Sequence, residues 1–341
     1  MAIQRMRTEI LTRRNFMKIV AVAGAGVVSW QLGLFGSTRS VYAARRSQPI
    51  MGTVLNLTVY SPDRDQAEEA LTKTIVVMQE LERKLSRHMA DSELARLNRG
   101  GFLDQPGSDF LQVFDLSQDL SRRTAGAFDV TMLPLLLLHE EIRGNNDHPD
   151  SERLTAARRL VGYDQLIRTE TGVRFARPGM GVTFDGIAKG YIVDRGSETL
   201  KSLGFPNVYV EAGGDLMVSG LKDKNEPWRI GIRPPRPVEA KKVVALAVSN
   251  RAVATSGDYL QSFTPDLRHH HIIDPHRGFS PPELASSTVT APTVALADGL
   301  ATALMVLGVQ DGLDLIESLD GCEAYLIGKD LRTHHTTGFF G

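Results

Sequence analysis

Two spacings of apolar residues alternate along this chain. At helical spacing, Leu71, Ile75, Met78 and Leu85 predict a long amphipathic helix over 65–85. Phe110 to Arg123 predicts another, stopped by Gly126. Two more are predicted at Val294–Leu307 and Gln310–Leu319. At the strand spacing of two, Val54–Tyr60 reads as a strand. Asn207–Glu211 and Asp215–Ser219 flank an Ala-Gly-Gly turn, and Trp228–Ile232, Val243–Val248 and Ala252–Ser256 follow, around the proline-rich Arg233–Pro237. Ser86–Leu94 reads as a turn and a short helix, and Gly144–Asp150 as a polar loop. Helices and strands mix without regular β-α alternation, so the pattern predicts an α+β fold rather than a doubly wound parallel sheet.

The pattern changes character at residues 183–194. A β-prone run from Gly181 to Phe184 feeds the turn pair Asp185-Gly186, and an amphipathic helix is predicted from there to about Leu203. Gly186 and Gly190 open the backbone at the helix start, where free N–H groups and the helix dipole suit an anion such as a phosphate, with Lys189 adding positive charge. The other reading is a plain strand–turn–helix connection whose glycines serve packing and whose lysine is solvated.

Composition alters this picture mainly at the N-terminus. The 341 residues are 42% hydrophobic and 23% charged, which is ordinary for a globular protein, and the formal net charge is −1. Residues 1–43 carry six basic side chains against one acid, and without them 33 basic and 39 acidic side chains remain, a net charge of −6. An acidic chain of this kind is a poor nucleic-acid binder. Arg13-Arg14 in Thr12–Lys18 is a twin-arginine pattern, followed by a run from Ile19 to Phe35 that Ser29, Gln31 and three glycines interrupt. That run falls short of a stable membrane span, and Val41–Ala43 fits a signal-peptidase site. The expectation is a signal peptide over 1–43, a mature domain over 44–341 with no stable membrane span, and export to the periplasm by the twin-arginine route. Cys322 is the one cysteine, so no internal disulfide forms.

Three further clusters hold candidate chemistry. Asp298 and Thr302 lie one helical turn apart, and a carboxylate with a hydroxyl offers hard oxygen ligands for Mg²⁺ on a diphosphate; an Asp favoured by the helix dipole beside a packed Thr fits the same spacing. His269-His-His271 precedes Ile272-Ile-Asp-Pro275. Neighbouring histidines in an extended segment point to opposite faces, so a general base beside Asp274 is more economical than a metal cluster. Thr255–Tyr259 reads as a polar turn.

The order of the motifs carries more than any one of them. Met51-Gly-Thr53, Ser92-Glu-Leu94, Ala127-Phe-Asp129, Asp185–Tyr191, Asn207–Gly214, Trp228–Gly231, Thr255–Tyr259, His271–Pro275 and Ala297–Thr302 follow one another as in the ApbE family of FAD:protein FMN transferases, which the chain resembles from about residue 46 to 341. The resemblance implies a single ApbE-like α+β catalytic domain, related to the T-fold, with mixed sheets and packed helices. It implies FAD as substrate and Mg²⁺ as cofactor, with FMN passed to a Thr or Ser hydroxyl of a partner flavoprotein subunit, exported or membrane-bound, and AMP released.

Residue by residue, the resemblance places the metal on the Gly186 carbonyl, Asp298 and Thr302. It places FAD against Met51, Ala127, Phe128, Asp129, Lys189 and Ala301. His271 matches a histidine that helps deprotonate the acceptor hydroxyl. The chain departs from the family at His88, where many members have Tyr, and at Thr183–Gly186, where Asp-Leu-Gly-Gly is common. His88 thus replaces the aromatic ring at that position, and the carboxylate stands two positions later, at Asp185. Two rival functions stay in view: an FAD-binding accessory protein without catalysis, and a Mg²⁺-dependent FAD pyrophosphatase.

Overall fold

Strand alternation organises the molecule into one large antiparallel sheet covered on both faces. The computed structural model describes residues 41–141, 149–222, 226–237 and 243–340. The twin-arginine segment and residues 144–148 of the expected polar loop lie outside the described residues.

Eight strands form the main sheet. They are β1 (Tyr42–Ile50), β2 (Thr53–Ser61), β6 (Val208–Ala212), β7 (Asp215–Ser219), β10 (Arg251–Gly257), β11 (Leu284–Ala291), β12 (Glu323–Gly328) and β13 (Thr333–His335), side by side in that order. Each described pair is antiparallel. A separate small sheet of β3 (Phe102–Asp104), β4 (Leu166–Arg168) and β5 (Gly172–Phe175) has the strand order β3-β5-β4, and β8 (Trp228–Gly231) pairs with β9 (Ala245–Val248). The expected strand Gly181–Phe184 is absent. That stretch is pinned instead by a side chain, with Asn98 Nδ2 donating to the Val182 carbonyl (2.9 Å) and Val182 N–H to Asn98 Oδ1 (2.8 Å). Its β-branched residues are buried without a partner strand, so tertiary contact overrides propensity.

One face of the main sheet carries the helices. α1 (Arg64–Leu85) buries Leu71, Ile75, Met78 and Leu85, as their spacing predicts, and Asp63 caps it by accepting the Gln66 N–H (3.1 Å). α2 (Glu93–Gly100) starts at the Ser92 cap, α3 (Ser108–Arg123) follows, and α4 (Leu133–Glu141) and α5 (Ser151–Arg158) pack on each other. α6 (Ala188–Ser202) packs against α1 and α7 (Val294–Glu317), and α7 lies across β10 and β11. Gly308, at φ +80°, breaks α7 where the sequence predicts two helices. α7 is long and apolar enough by composition to cross a membrane. Its position explains that composition, because a helix enclosed by a sheet and other helices is apolar all round.

The opposite face is closed by the β8–β9 hairpin. Trp228 and Ile230 pack on Leu216, Val218 and Val253, while Ile232 and Leu246 pack on Tyr325 and Ile327. Strand β7 is covered on both faces, and all five of its residues are buried, including its first, Asp215.

Candidate active site

Two helices cross at the centre of the molecule, and each N-terminus is capped by a carboxylate of the other. Asp194 of α6 accepts the N–H groups of Val294 (2.8 Å) and Ala295 (2.9 Å) at the start of α7. Asp298 of α7 accepts the Gly190 N–H at the start of α6 (3.2 Å). Gly190 makes the crossing possible, since a Cβ there would stand 2.6 Å from the Val294 carbonyl oxygen. The helix start that sequence marks as an anion site is therefore turned on a protein carboxylate, and the glycine there serves close packing.

Asp298 is buried, and burial followed by the charge of Asp215 pushes its carboxyl well above the usual range. One turn on, Thr302 Oγ1 lies 3.3 Å from Ser256 Oγ of β10. Gly186 backs onto the same hydroxyl, because a Cβ built on it would be 3.3 Å from Thr302 Oγ1 and 3.3 Å from Phe128 Cε2. The three expected metal positions thus sit together, although 112 or more residues separate Gly186 from the other two. A carboxylate and a hydroxyl one helical turn apart, with the Gly186 backbone against the hydroxyl, offer hard-oxygen donors of the kind Mg²⁺ takes. Among the described residues no group of three His, Cys, Asp or Glu side chains is arranged to hold a metal, the three consecutive histidines included.

Lys189 joins this cluster through Asp215. Its Nζ lies 2.5 Å from Asp215 Oδ2. Burial works against its charge, but Asp215 and Asp298 outweigh that and hold the ammonium protonated. Of the other expected FAD contacts, Phe128 borders Gly186 and Gly299, and Ala127 is buried beside it in sequence. Ala301 is fully buried on the core side of α7. Met51 takes φ +51° in the β1–β2 turn and donates its N–H to Glu82 (2.8 Å). Asp129 is occupied locally, accepting from Thr131 N (2.7 Å), Thr131 Oγ1 (2.6 Å) and Tyr163 N (2.9 Å).

His271 is half-buried on the long connection between β10 and β11. Burial lowers its pKa to about 4, with the Lys189 charge acting in the same direction and a bond to Gln261 opposing. Its Nδ1 is 3.3 Å from the Gln261 carbonyl, so in the neutral ring Nδ1–H donates there and Nε2 keeps a free lone pair. The expected partnership with Asp274 is corrected here. Asp274 Oδ1 instead accepts the backbone N–H groups of His276 (2.8 Å) and Arg277 (3.2 Å), closing the turn that follows. Asp185 lies at the rim, where Arg87 Nε donates to it (2.8 Å) while Arg87 Nη2 reaches Glu140 (3.1 Å). His88 is exposed.

The sequence pattern singles out neither Asp215 nor Asp194, and it holds Ser256 only as part of the Thr255–Tyr259 turn. Asp215 carried a usable signal, an acid opening a strand whose other residues are Leu, Met, Val and Ser. Ser256 belongs to β10, so the expected polar turn at Thr255–Tyr259 is in its first half a strand.

A family model described as the ApbE family matches residues 51–326. A protein named FAD:protein FMN transferase from Haemophilus influenzae is 30% identical over 320 residues, covering 90% of this chain and 92% of its own length. One of the same name from Vibrio cholerae is 32% identical over 295 residues, covering 84% and 87%. Among solved structures, the flavin transferase ApbE from Vibrio cholerae superposes with a TM-score of 0.78 at 30% identity, covering 88% of this chain and 99% of that one. The flavinyl transferase ApbE of Pseudomonas stutzeri, in its apo form, gives 0.78 at 31% identity, covering 88% and 98%.

Proposed function

The chain belongs to the ApbE family, and we propose that it is an FAD:protein FMN transferase that moves FMN from FAD to a Thr or Ser hydroxyl of a target flavoprotein. The observation that carries this reading is the meeting of Gly186, Thr302, Asp298 and Lys189 at one point, with a neutral histidine nearby. Gly186, Asp298 and Thr302 would hold Mg²⁺, which when bound supplies positive charge to the diphosphate of FAD. Lys189 adds a fixed charge that needs no reorganisation during the reaction.

In the transfer step the acceptor oxygen attacks the FMN phosphorus. A new P–O bond forms, the bond to the AMP phosphate breaks, and AMP leaves. His271 takes the hydroxyl proton on Nε2, a task for which a depressed pKa keeps the ring neutral at pH 7. Lys189 favours the leaving phosphate by charge, and Phe128 shields the Gly186 side of the cluster from water. The acceptor is a subunit carrying an accessible Thr or Ser. The twin-arginine pattern at Arg13-Arg14 supports export, so that this subunit is itself exported or membrane-bound.

Incubation with FAD, Mg²⁺ and a candidate acceptor domain, followed by mass measurement, tests the reading. An acceptor heavier by one FMN is the expected result. Free FMN with AMP and an unmodified acceptor would mean hydrolysis, and unchanged FAD would mean a carrier. For export, Arg13→Lys with Arg14→Lys keeps both charges and removes the guanidinium pair, so the expected result is retention in the cytoplasm. Undiminished delivery of that variant to the periplasm, followed by cell fractionation, would overturn the twin-arginine route.

A further inference from the structure

Three ionisable side chains share the buried floor of the site, and only one of the two possible ion pairs among them is made. Asp215 has no exposed surface, and its Oδ2 lies 2.5 Å from Lys189 Nζ, while its Oδ1 accepts the Thr255 N–H (3.2 Å). Asp298 also feels the Lys189 charge but makes no ion pair with it; it accepts the Gly190 N–H (3.2 Å) and shares a side-chain hydrogen bond with Asp215. An ammonium is a compact charge on a flexible stem and pairs with whichever carboxylate is better placed. Here β7 brings Asp215 to it from one side, and α7 brings Asp298 from the other.

We propose that Asp215 is a positioning residue that captures the Lys189 ammonium and so leaves the Asp298 carboxylate open toward a divalent cation. The inference rests on the Mg²⁺ reading of Gly186, Asp298 and Thr302. Without Asp215, Lys189 has one buried carboxylate left to pair with, and that carboxylate is the metal ligand. A cation arriving at Asp298 must then displace a resident ammonium. Asp215 thereby acts on the cation site through Lys189, beside its own side-chain bond to Asp298, and an effect carried by that direct bond would survive removal of the lysine.

Mg²⁺ binding to the full chain without FAD, followed by calorimetry, tests this. Asp215→Asn is nearly isosteric and is expected to weaken Mg²⁺ binding about tenfold or more, the range seen when a partner of a metal ligand is removed. Adding Lys189→Met removes the competing ammonium, so the double variant is expected to return close to the parent affinity. The double variant also covers the case in which Asp215→Asn alone does not fold, since it leaves no unpaired ammonium. Glu211→Gln is the control for net charge. Glu211 also acts on Lys189 electrostatically but is bonded to Asn56 (2.6 Å) and the Gly214 N–H (2.7 Å), so its neutralisation leaves the Lys189–Asp215 pair in place. Equal affinity in Asp215→Asn and parent, or an equal loss in Glu211→Gln, overturns the proposal. So does failure of the double variant to recover. A parent that binds no Mg²⁺ sinks the metal reading and this inference with it, which separates the two failures.

Discussion

Asp194 and Asp298 cap opposite helix starts at the same crossing, and they are in different chemical situations. Asp194 accepts two N–H groups at 2.8 and 2.9 Å, which saturates it as a cap, and burial raises its pKa to about 6. Asp298 accepts one longer backbone bond at 3.2 Å and faces a second acid and a lysine, one helical turn from the Thr302 hydroxyl. The first carboxylate spends its lone pairs on backbone; the second keeps some for a ligand. Burial and a helix dipole are common to both, so neither feature marks the functional acid. What marks it is spare acceptor capacity next to other polar groups.

The largest expected effect comes from breaking the functional side. Asp298→Asn keeps the shape and removes the charge, and transfer is expected to fall by at least about 10³-fold, several kcal/mol of barrier. A variant with full Mg²⁺-dependent activity would remove Asp298 from the site. Gly190→Ala attacks both caps together, because its Cβ meets backbone that cannot turn away. We expect a loss of about 3 kcal/mol, at the upper end for overpacking, read by denaturant unfolding. A neutral result would mean the crossing is looser than its distances imply.

His271→Ala separates proton transfer from capping. Transfer is expected to slow by about 10²-fold with FAD affinity held, and a matching collapse of FAD binding would make His271 a binding residue instead. The pH profile gives a second check. A base with a pKa near 4 is neutral above it, so the rate rises with pH to about 5 and stays level through pH 7 on that limb. An inflection near the ordinary histidine value of about 6.5 would contradict the burial argument.

The structural side of the comparison shows in stability. Asp194→Ala leaves two amides of α7 without their acceptor and is expected to cost about 2 kcal/mol, the upper range for a lost cap. Asp194→Asn isolates the charge. The folded-state pKa of Asp194 is raised above its unfolded value, so its contribution is fully present below about pH 4 and is lost as pH rises through about 6. The stability of the parent relative to Asp194→Asn is therefore expected to decline across that window, and a flat difference would refute the raised pKa. Thr302→Val has the smallest expected effect, about tenfold on transfer, since a neutral hydroxyl is the weaker oxygen ligand. No loss would leave Asp298 and Gly186 to hold the metal without it.

Much of this architecture is legible in the chain itself. Helical spacing over 65–85 predicts α1 to within a residue, and Gly308 separates the two predicted halves of α7. The four-residue spacing of Asp298 and Thr302 puts them on one face before any fold is known, and ordered motifs from Met51 to Thr302 mark the family. These are local properties, set by the periods of helix and strand and by residue order. The partners that give the site its chemistry are not local. Asp215 to Lys189, Gly190 to Asp298 and Asn98 to Val182 join residues 26, 108 and 84 positions apart. Such pairs leave no period to read, and their formation depends on how closely α6, α7 and β7 pack. That packing turned a predicted strand at Gly181–Phe184 into a side-chain-pinned segment, made an anion-binding helix start into a carboxylate cap, and chose which of two buried acids holds the lysine.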